Sequence, residues 1–201
     1  MVIVANGARL RRRGIILEWI TLGWNVAGVA ILTLAAYLAS SVALLGFGLD
    51  SLIEIGASAV VLWELSGFGD ERRAHALRLI GYAFVALAAY LLIQSGVALA
   101  TQHHASSSPG GAIWTAVTAV VMFTLAAAKT RTGRALGNPV LVTEGRVTFI
   151  DGLLAVAVLL GLLLDTLAGW WWADPAAGLV IVYYAIREAQ AIFAAPRTDA
   201  S

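Results

Sequence analysis

The sequence predicts an all-α, polytopic membrane protein with six transmembrane helices and with both termini in the cytoplasm. Only 12% of its 201 residues are charged and 60% are hydrophobic, whereas a soluble domain carries about 25% charged residues. The apolar residues fall into six segments that are long enough to cross a bilayer, and the basic residues cluster at alternate ends of those segments. Contact with lipid therefore explains this composition better than a large soluble core.

Each segment holds about 20 mostly apolar residues, the length of helix that spans roughly 30 Å of hydrocarbon. In chain order the segments are residues 15–37, 42–65, 77–100, 112–129, 143–165 and 175–194. The polar breaks between them are 40–41, 66–73, 102–111, 130–139 and 169–174. This divides the chain into a cytoplasmic N-terminal tail (1–14), a six-helix transmembrane domain (15–194) and a cytoplasmic C-terminal tail (195–201).

Local signals accompany these boundaries. The first segment follows a basic run that ends at Arg13, and the second follows the Ser40–Ser41 pair. The fourth segment follows a Ser- and Gly-rich loop. The sixth opens on Asp174 and Pro175, where the aspartate is expected to cap the helix and the proline to occupy its first position.

The positive charges predict the orientation. The thirteen Lys and Arg residues lie in the N-terminal tail, in the second and fourth connections and toward the C-terminus: Arg9, Arg11, Arg12, Arg13, Arg72, Arg73, Arg78, Lys129, Arg131, Arg134, Arg146, Arg187 and Arg197. The other three connections carry none. Because basic residues are retained on the cytoplasmic side, both termini are expected there. Lys129 is thereby assigned to a connection, and no basic side chain is expected in the apolar middle of a helix.

The second helix carries two acidic residues, Asp50 and Glu54, which are four apart and so share one face. They are expected about 12–20 Å from its outer end, where an isolated carboxylate costs about 2.5–3.5 kcal/mol on insertion scales. With no basic neighbour expected, a proton or a bound cation has to neutralise them. The alternative is that they bond to polar residues of neighbouring helices and only specify packing.

The fifth helix adds Asp151, roughly 12 Å from its cytoplasmic start. Glu144 and Thr148 share its face, at spacings of seven and three residues. If the acidic side chains of the two helices converge, they form a hard, oxygen-rich metal site. Such a site suits Mn²⁺, Mg²⁺ or Ca²⁺, and also Fe²⁺ or Co²⁺.

A weaker set of polar residues lies toward the cytoplasmic helix ends. Glu18 and Glu144 are candidates for an acidic vestibule that concentrates cations near the site. The alternative is that they reach interfacial water or pair with an arginine such as Arg13 or Arg146. Asn25 lies seven residues from Glu18 on the same face. It is a candidate for a carbonyl ligand or, alternatively, for a polar contact between helices. The full candidate metal-binding set is Asp50, Glu54, Asp151, Glu144, Thr148 and Glu18.

Two stretches resemble the cation diffusion facilitator family. SSVALLGFGLDSLIEIGAS resembles the family's second-helix signature, in which a His or Asp and an Asp lie four apart; the pair here is Asp50 and Glu54. EGRVTFIDGLLAVAVLLGLLLD, followed by WWWADPAAGLVIVYYAIRE, resembles the fifth and sixth helices, with Asp151 at the position of the family's aspartate. The resemblance covers residues 15–194. It implies a homodimer that exports a cytoplasmic divalent metal in exchange for protons.

The sequence departs from that family in three ways. The His or Asp that the family has four residues before Asp151 is Val147 here, so the usual four-ligand site is incomplete unless Glu144 or Thr148 compensates. The family's cytoplasmic metal-binding domain is expected to be missing after the sixth helix. A His-rich loop between the fourth and fifth helices is also missing.

The predicted function is therefore divalent-metal transport across the cell membrane, with Mn²⁺, Fe²⁺, Co²⁺ or Zn²⁺ as cargo, protons as the coupling ion, and no resident cofactor or nucleic-acid partner. The alternative is a membrane metal-binding or accessory protein that keeps the fold without transporting. An enzyme is not expected, because the sequence contains no HExxH, no GxxxxGK and no Ser/His or paired-Asp pattern of an intramembrane protease.

Overall fold

The computed structural model describes residues 2–65 and 70–194, without the side chains of 2–6, 64–65, 70–77, 79–80 and 139. The described part forms six helices: α1 (Val2–Ala39), α2 (Val42–Leu65), α3 (Asp70–Ala100), α4 (Pro109–Leu136), α5 (Pro139–Ala168) and α6 (Ala173–Ala194). All six are long and apolar enough to cross a membrane, which confirms the predicted fold class. The predicted C-terminal tail and residues 66–69 of the second connection lie outside the described residues.

Several helices extend beyond the apolar segments that predicted them. α1 begins at Val2 instead of near residue 15, α4 continues to Leu136, and α5 already begins at Pro139. Arginine is a good helix former, so the polar residues that end a hydrophobic segment do not end the helix. Most of the predicted N-terminal tail therefore continues α1 as helix.

Because consecutive spanning helices alternate in direction, α1, α3 and α5 begin at the same end of the bundle. We call this the basic end, since the described arginines lie toward it. The side of the membrane that it faces stays a prediction.

α2 lies at the centre of the bundle, in contact with α1, α3, α5 and α6. Its Leu44 and Phe47 are fully buried among side chains such as Leu91 of α3 and Ile181 of α6. α4 packs mainly on α5, and at Gly145 the two backbones come so close that an added Cβ would lie 2.9 Å from the Thr130 nitrogen. This close approach brings polar residues of α4 against α5 inside the bundle.

The predicted role of Asp174 as the cap of its own helix is wrong. α6 begins at Ala173, one residue before Asp174. The Asp174 carboxylate accepts hydrogen bonds from the Ser41 hydroxyl and, at 2.9 Å, from the Val42 N–H. The Ser41 hydroxyl also accepts a 3.1 Å bond from the Leu44 N–H. Ser41 and Asp174 together therefore satisfy N–H groups at the start of α2 and tie α2 to α6.

Candidate functional site

Asp50, Glu54 and Asp151 line one cavity of about 380 Å³. It is bounded by α2, α3, α5 and α6. Their exposed fractions are only 8%, 4% and 4%, so all three carboxyls lie inside the bundle. Asp151 is twelve residues into α5, hence about 18 Å from the helix start instead of 12 Å, because α5 begins earlier than predicted.

Glu54 is held by a polar side chain at each of its two oxygens. The Asn25 amide of α1 donates to Oε2 at 2.9 Å, and the Thr148 hydroxyl of α5 contacts Oε1 at 3.4 Å. Asn25 and Thr148 are themselves buried. The packing interpretation therefore describes part of the environment of Glu54, which three helices hold in one orientation.

Asp151 is different, because neither of its buried carboxyl oxygens makes a hydrogen bond of good geometry with the described residues. Its carboxyl lies beside that of Glu54. Asp50 is close enough to Glu54 and to Glu188 of α6 to interact with both electrostatically. Neighbouring carboxylates repel one another unless a proton or a cation lies between them, so the group is suited to bind either.

The potential ligands are not gathered around one point in this conformation. Among the described residues, no three His, Cys, Asp or Glu side chains lie close enough together to hold a metal ion. The Val147 side chain faces the same cavity, where it adds an apolar surface and no ligand atom. A bound ion would therefore have to draw the carboxyls of α2 and α5 inward.

Lys129 is fully buried, and its placement in a cytoplasmic connection is wrong. Its Nζ lies 3.1 Å from Glu18 Oε2, 3.3 Å from Glu144 Oε1 and 3.1 Å from Thr148 Oγ1. α4 extends to Leu136, so Lys129 lies about two turns inside the helix. The expectation that the acidic residues of α2 have no basic neighbour is wrong as well, because Lys129 is close enough to Glu54 to interact with it electrostatically.

The structure brings Glu18, Glu144 and Thr148 together around this lysine. Glu18 is fully buried and does not line an open vestibule, and its ion-pair partner is Lys129 instead of Arg13. Glu144 and Thr148 also belong to α5, two turns and one turn before Asp151, respectively. Their role as ligands of the transported ion stays a prediction, since in this structure all three contact an ammonium group.

Sequence reasoning assigned one polar residue of this region to the wrong place and missed another. Lys129 is the chain's only lysine, and its helical spacing from the buried Met122 and Leu125 was the signal that it faces the interior. Glu188 lines the cavity from α6. The signal there was an acidic residue inside an apolar spanning segment.

The comparison with known families agrees with this architecture. The family model of the cation efflux transmembrane domain matches residues 19–195, which include all of the residues that line the cavity. Members of this family transport divalent metal cations across membranes. The chain therefore belongs to the cation efflux family and is a multi-pass membrane cation transporter of the cation diffusion facilitator type.

Proposed function

We propose that this chain exports a divalent metal ion from the cytoplasm in exchange for protons, and that Asp50, Glu54 and Asp151 bind the ion on its way. The observation that supports this most directly is Asp151. Both of its carboxyl oxygens are buried and make no hydrogen bond of good geometry with the described residues, and its carboxyl lies against that of Glu54. A buried carboxylate without strong hydrogen bonds is costly in free energy when it is charged, and binding a cation or a proton removes that cost.

The same carboxylates couple metal transport to proton transport. A metal ion binds the deprotonated carboxylates, and protons that reach them from the other side of the membrane displace it. Asp50 and Glu54 move with α2 and Asp151 with α5, so relative motion of the two helices would open the site to one side and then to the other. Direction and dimeric assembly follow the resemblance to the family.

The ligand atoms favour a hard metal. Val147 stands where the family has a His or Asp, so Asp50, Glu54 and Asp151 offer oxygen atoms alone. Carboxylate oxygen suits Mn²⁺ or Fe²⁺, whereas imidazole ligands suit Zn²⁺. Within the expected group of Mn²⁺, Fe²⁺, Co²⁺ and Zn²⁺, we propose that Mn²⁺ or Fe²⁺ is carried in preference to Zn²⁺.

A flux assay in proteoliposomes tests the proposal. Protein is reconstituted with a pH gradient, metal entry is followed with a fluorescent indicator, and internal pH is recorded at the same time. We expect Mn²⁺ flux with proton counterflow, and at least a tenfold loss of flux in Asp50→Asn, which keeps the shape of the side chain and removes its charge.

Asp165→Asn is the matched control, because Asp165 lies near the opposite end of α5 and outside the cavity lining. It should transport normally. Undiminished flux in Asp50→Asn would contradict the proposed site, and flux without a change of internal pH would contradict proton exchange. Metal binding with no flux at all would favour the non-transporting alternative.

A further inference from the structure

Lys129 occupies a cage of oxygen atoms in the interior of the bundle. Its Nζ contacts one oxygen each of Glu18, Glu144 and Thr148, at 3.1, 3.3 and 3.1 Å. An ammonium group has three N–H donors and no acceptor, so these three contacts use its full capacity. The cage is drawn from α1 and α5, and the cation comes from α4.

The cage has the composition of a cation site for oxygen-preferring metals. Two of the three contacts are carboxylates and the third is a hydroxyl, which are the ligand types of hard divalent ions. The second oxygen of this carboxylate, the buried Glu18 Oε1, does not contact the ammonium and makes no hydrogen bond of good geometry among the described residues. The equally buried hydroxyl of Ser58 lies within hydrogen-bonding reach of the Glu18 carboxylate.

We propose that Glu18, Glu144 and Thr148 form a second divalent-cation site, in which the tethered ammonium of Lys129 takes the place of the metal. The inference rests on the proposed function of Asp50, Glu54 and Asp151 as the first site. With Lys129 in position, the chain binds one metal ion, at the first site only. Without Lys129, the cage binds a second.

The two sites are adjacent, because Glu144 of the cage also lines the cavity of the first site and Thr148 contacts both Lys129 and Glu54. The Thr148 hydroxyl oxygen accepts a hydrogen bond from the Lys129 ammonium. Its own hydrogen is directed toward Glu54 Oε1, which lies 3.4 Å from Thr148 Oγ1. The ammonium therefore fixes which way this hydroxyl points. It also places a single positive charge near Glu54, which repels the transported ion less than a second divalent ion in the cage would.

Space for a metal arises when the lysine tail is removed. Nitrogen–oxygen contacts of the present length exceed metal–oxygen bonds of about 2.0–2.6 Å. An ion together with one or two water molecules can therefore occupy the volume that the Lys129 side chain leaves in a Lys129→Ala variant.

The test is the number of Mn²⁺ ions bound per chain, measured by equilibrium dialysis of the purified protein in detergent with metal analysis. We expect one ion for the natural sequence, two for Lys129→Ala, and one again when Glu18→Gln and Glu144→Gln are added to Lys129→Ala. Lys129→Arg, which keeps the positive charge, should bind one. A single ion bound by Lys129→Ala overturns the proposal.

The Asp50→Asn change separates this proposal from the first. If the first site is assigned correctly, Asp50→Asn alone loses its ion and Asp50→Asn with Lys129→Ala binds one, in the cage. An ion retained by Asp50→Asn alone would instead count against the proposed function. If Lys129→Ala folds only when Mn²⁺ is present, the metal is replacing the ammonium and the proposal is supported; if it stays unfolded at millimolar Mn²⁺, the proposal is overturned.

Discussion

Asn25 is a neutral residue that helps to organise a charged site. Its side chain is 2% exposed, and its amide donates to Glu54 Oε2 at 2.9 Å and to the Thr21 carbonyl at 3.1 Å. The two bonds fix the amide between α1 and α2, which in turn fixes the carboxylate. In metal sites such partners orient the ligand and set its affinity.

We predict that Asn25→Ala weakens Mn²⁺ binding by about tenfold, because partners of metal ligands are worth about 10–100-fold in affinity. The measurement is a Mn²⁺ titration of the purified protein. Thr21→Ala is the matched control: its hydroxyl donates to the Leu17 carbonyl of its own helix, and the variant keeps the backbone carbonyl that accepts from Asn25, so affinity should hold. Equal affinities in the two variants would count against a role of Asn25 at Glu54.

The residues of the candidate site were predictable to different degrees. Asp50, Glu54 and Asp151 stand out because each is an acid inside an apolar segment, and the structure places all three on one cavity. Lys129 was assigned to a loop because it adjoins Arg131 and Arg134 in the sequence. α4 in fact runs on to Leu136, where Gly137 caps it in the left-handed conformation, a local stop signal that was overlooked; that Lys129 faces α1 and α5 depends on packing.

At the scale of helices, the start of α2 depends on a residue far away in sequence. Asp174 of α6 accepts hydrogen bonds from the Ser41 hydroxyl and from the Val42 N–H. The first N–H groups of a helix have no partner within it, and here a side chain of a neighbouring helix supplies one. α2, which carries Asp50 and Glu54, is thereby held in position against α6.

We predict that Asp174→Ala lowers thermal stability in detergent by about 2–4 °C, as expected for the loss of a helix cap worth about 1 kcal/mol. Binding of Mn²⁺ should be retained, because Asp174 is not part of the cavity lining. Asp165→Ala, which removes a carboxylate from the end of α5 that repels Asp174, should not lower the unfolding temperature. A stability loss of the same size in both variants would argue against the cap and for an effect of net charge.

At the scale of the whole molecule, the cavity extends from the carboxyls toward one end of the helix bundle. From Asp50 and Asp151 it extends past Thr143 and Val140, near the start of α5, and past Ile192, near the end of α6. These residues lie toward the basic end. If that end is cytoplasmic, as the charge distribution predicts, the structure presents its carboxyls to the side from which an exporter takes its cargo.

Single cysteines test this orientation, because the natural sequence has none. We predict that Thr143→Cys reacts with a membrane-impermeant maleimide only from the cytoplasmic side, and that Mn²⁺ slows the reaction. His104→Cys, in the exposed loop between α3 and α4, should react only from the other side and be insensitive to Mn²⁺. Reversed sidedness would refute the predicted topology; labelling of Thr143→Cys that Mn²⁺ leaves unchanged would refute the cavity as the path of the ion.

The sequence by itself determined the six spanning helices, the alternation of basic connections and the three acidic positions on α2 and α5, because hydrophobic length and the cost of charge in a bilayer are local properties. Only the tertiary structure decided which partner each polar group has. Lys129 meets Glu18 and Glu144 across sequence separations of 111 and 15 residues, and Asp174 caps a helix that begins more than 130 residues earlier. Such pairings depend on how the helices cross. The helical periodicity of one segment predicts which face is polar, but not which neighbouring helix that face contacts.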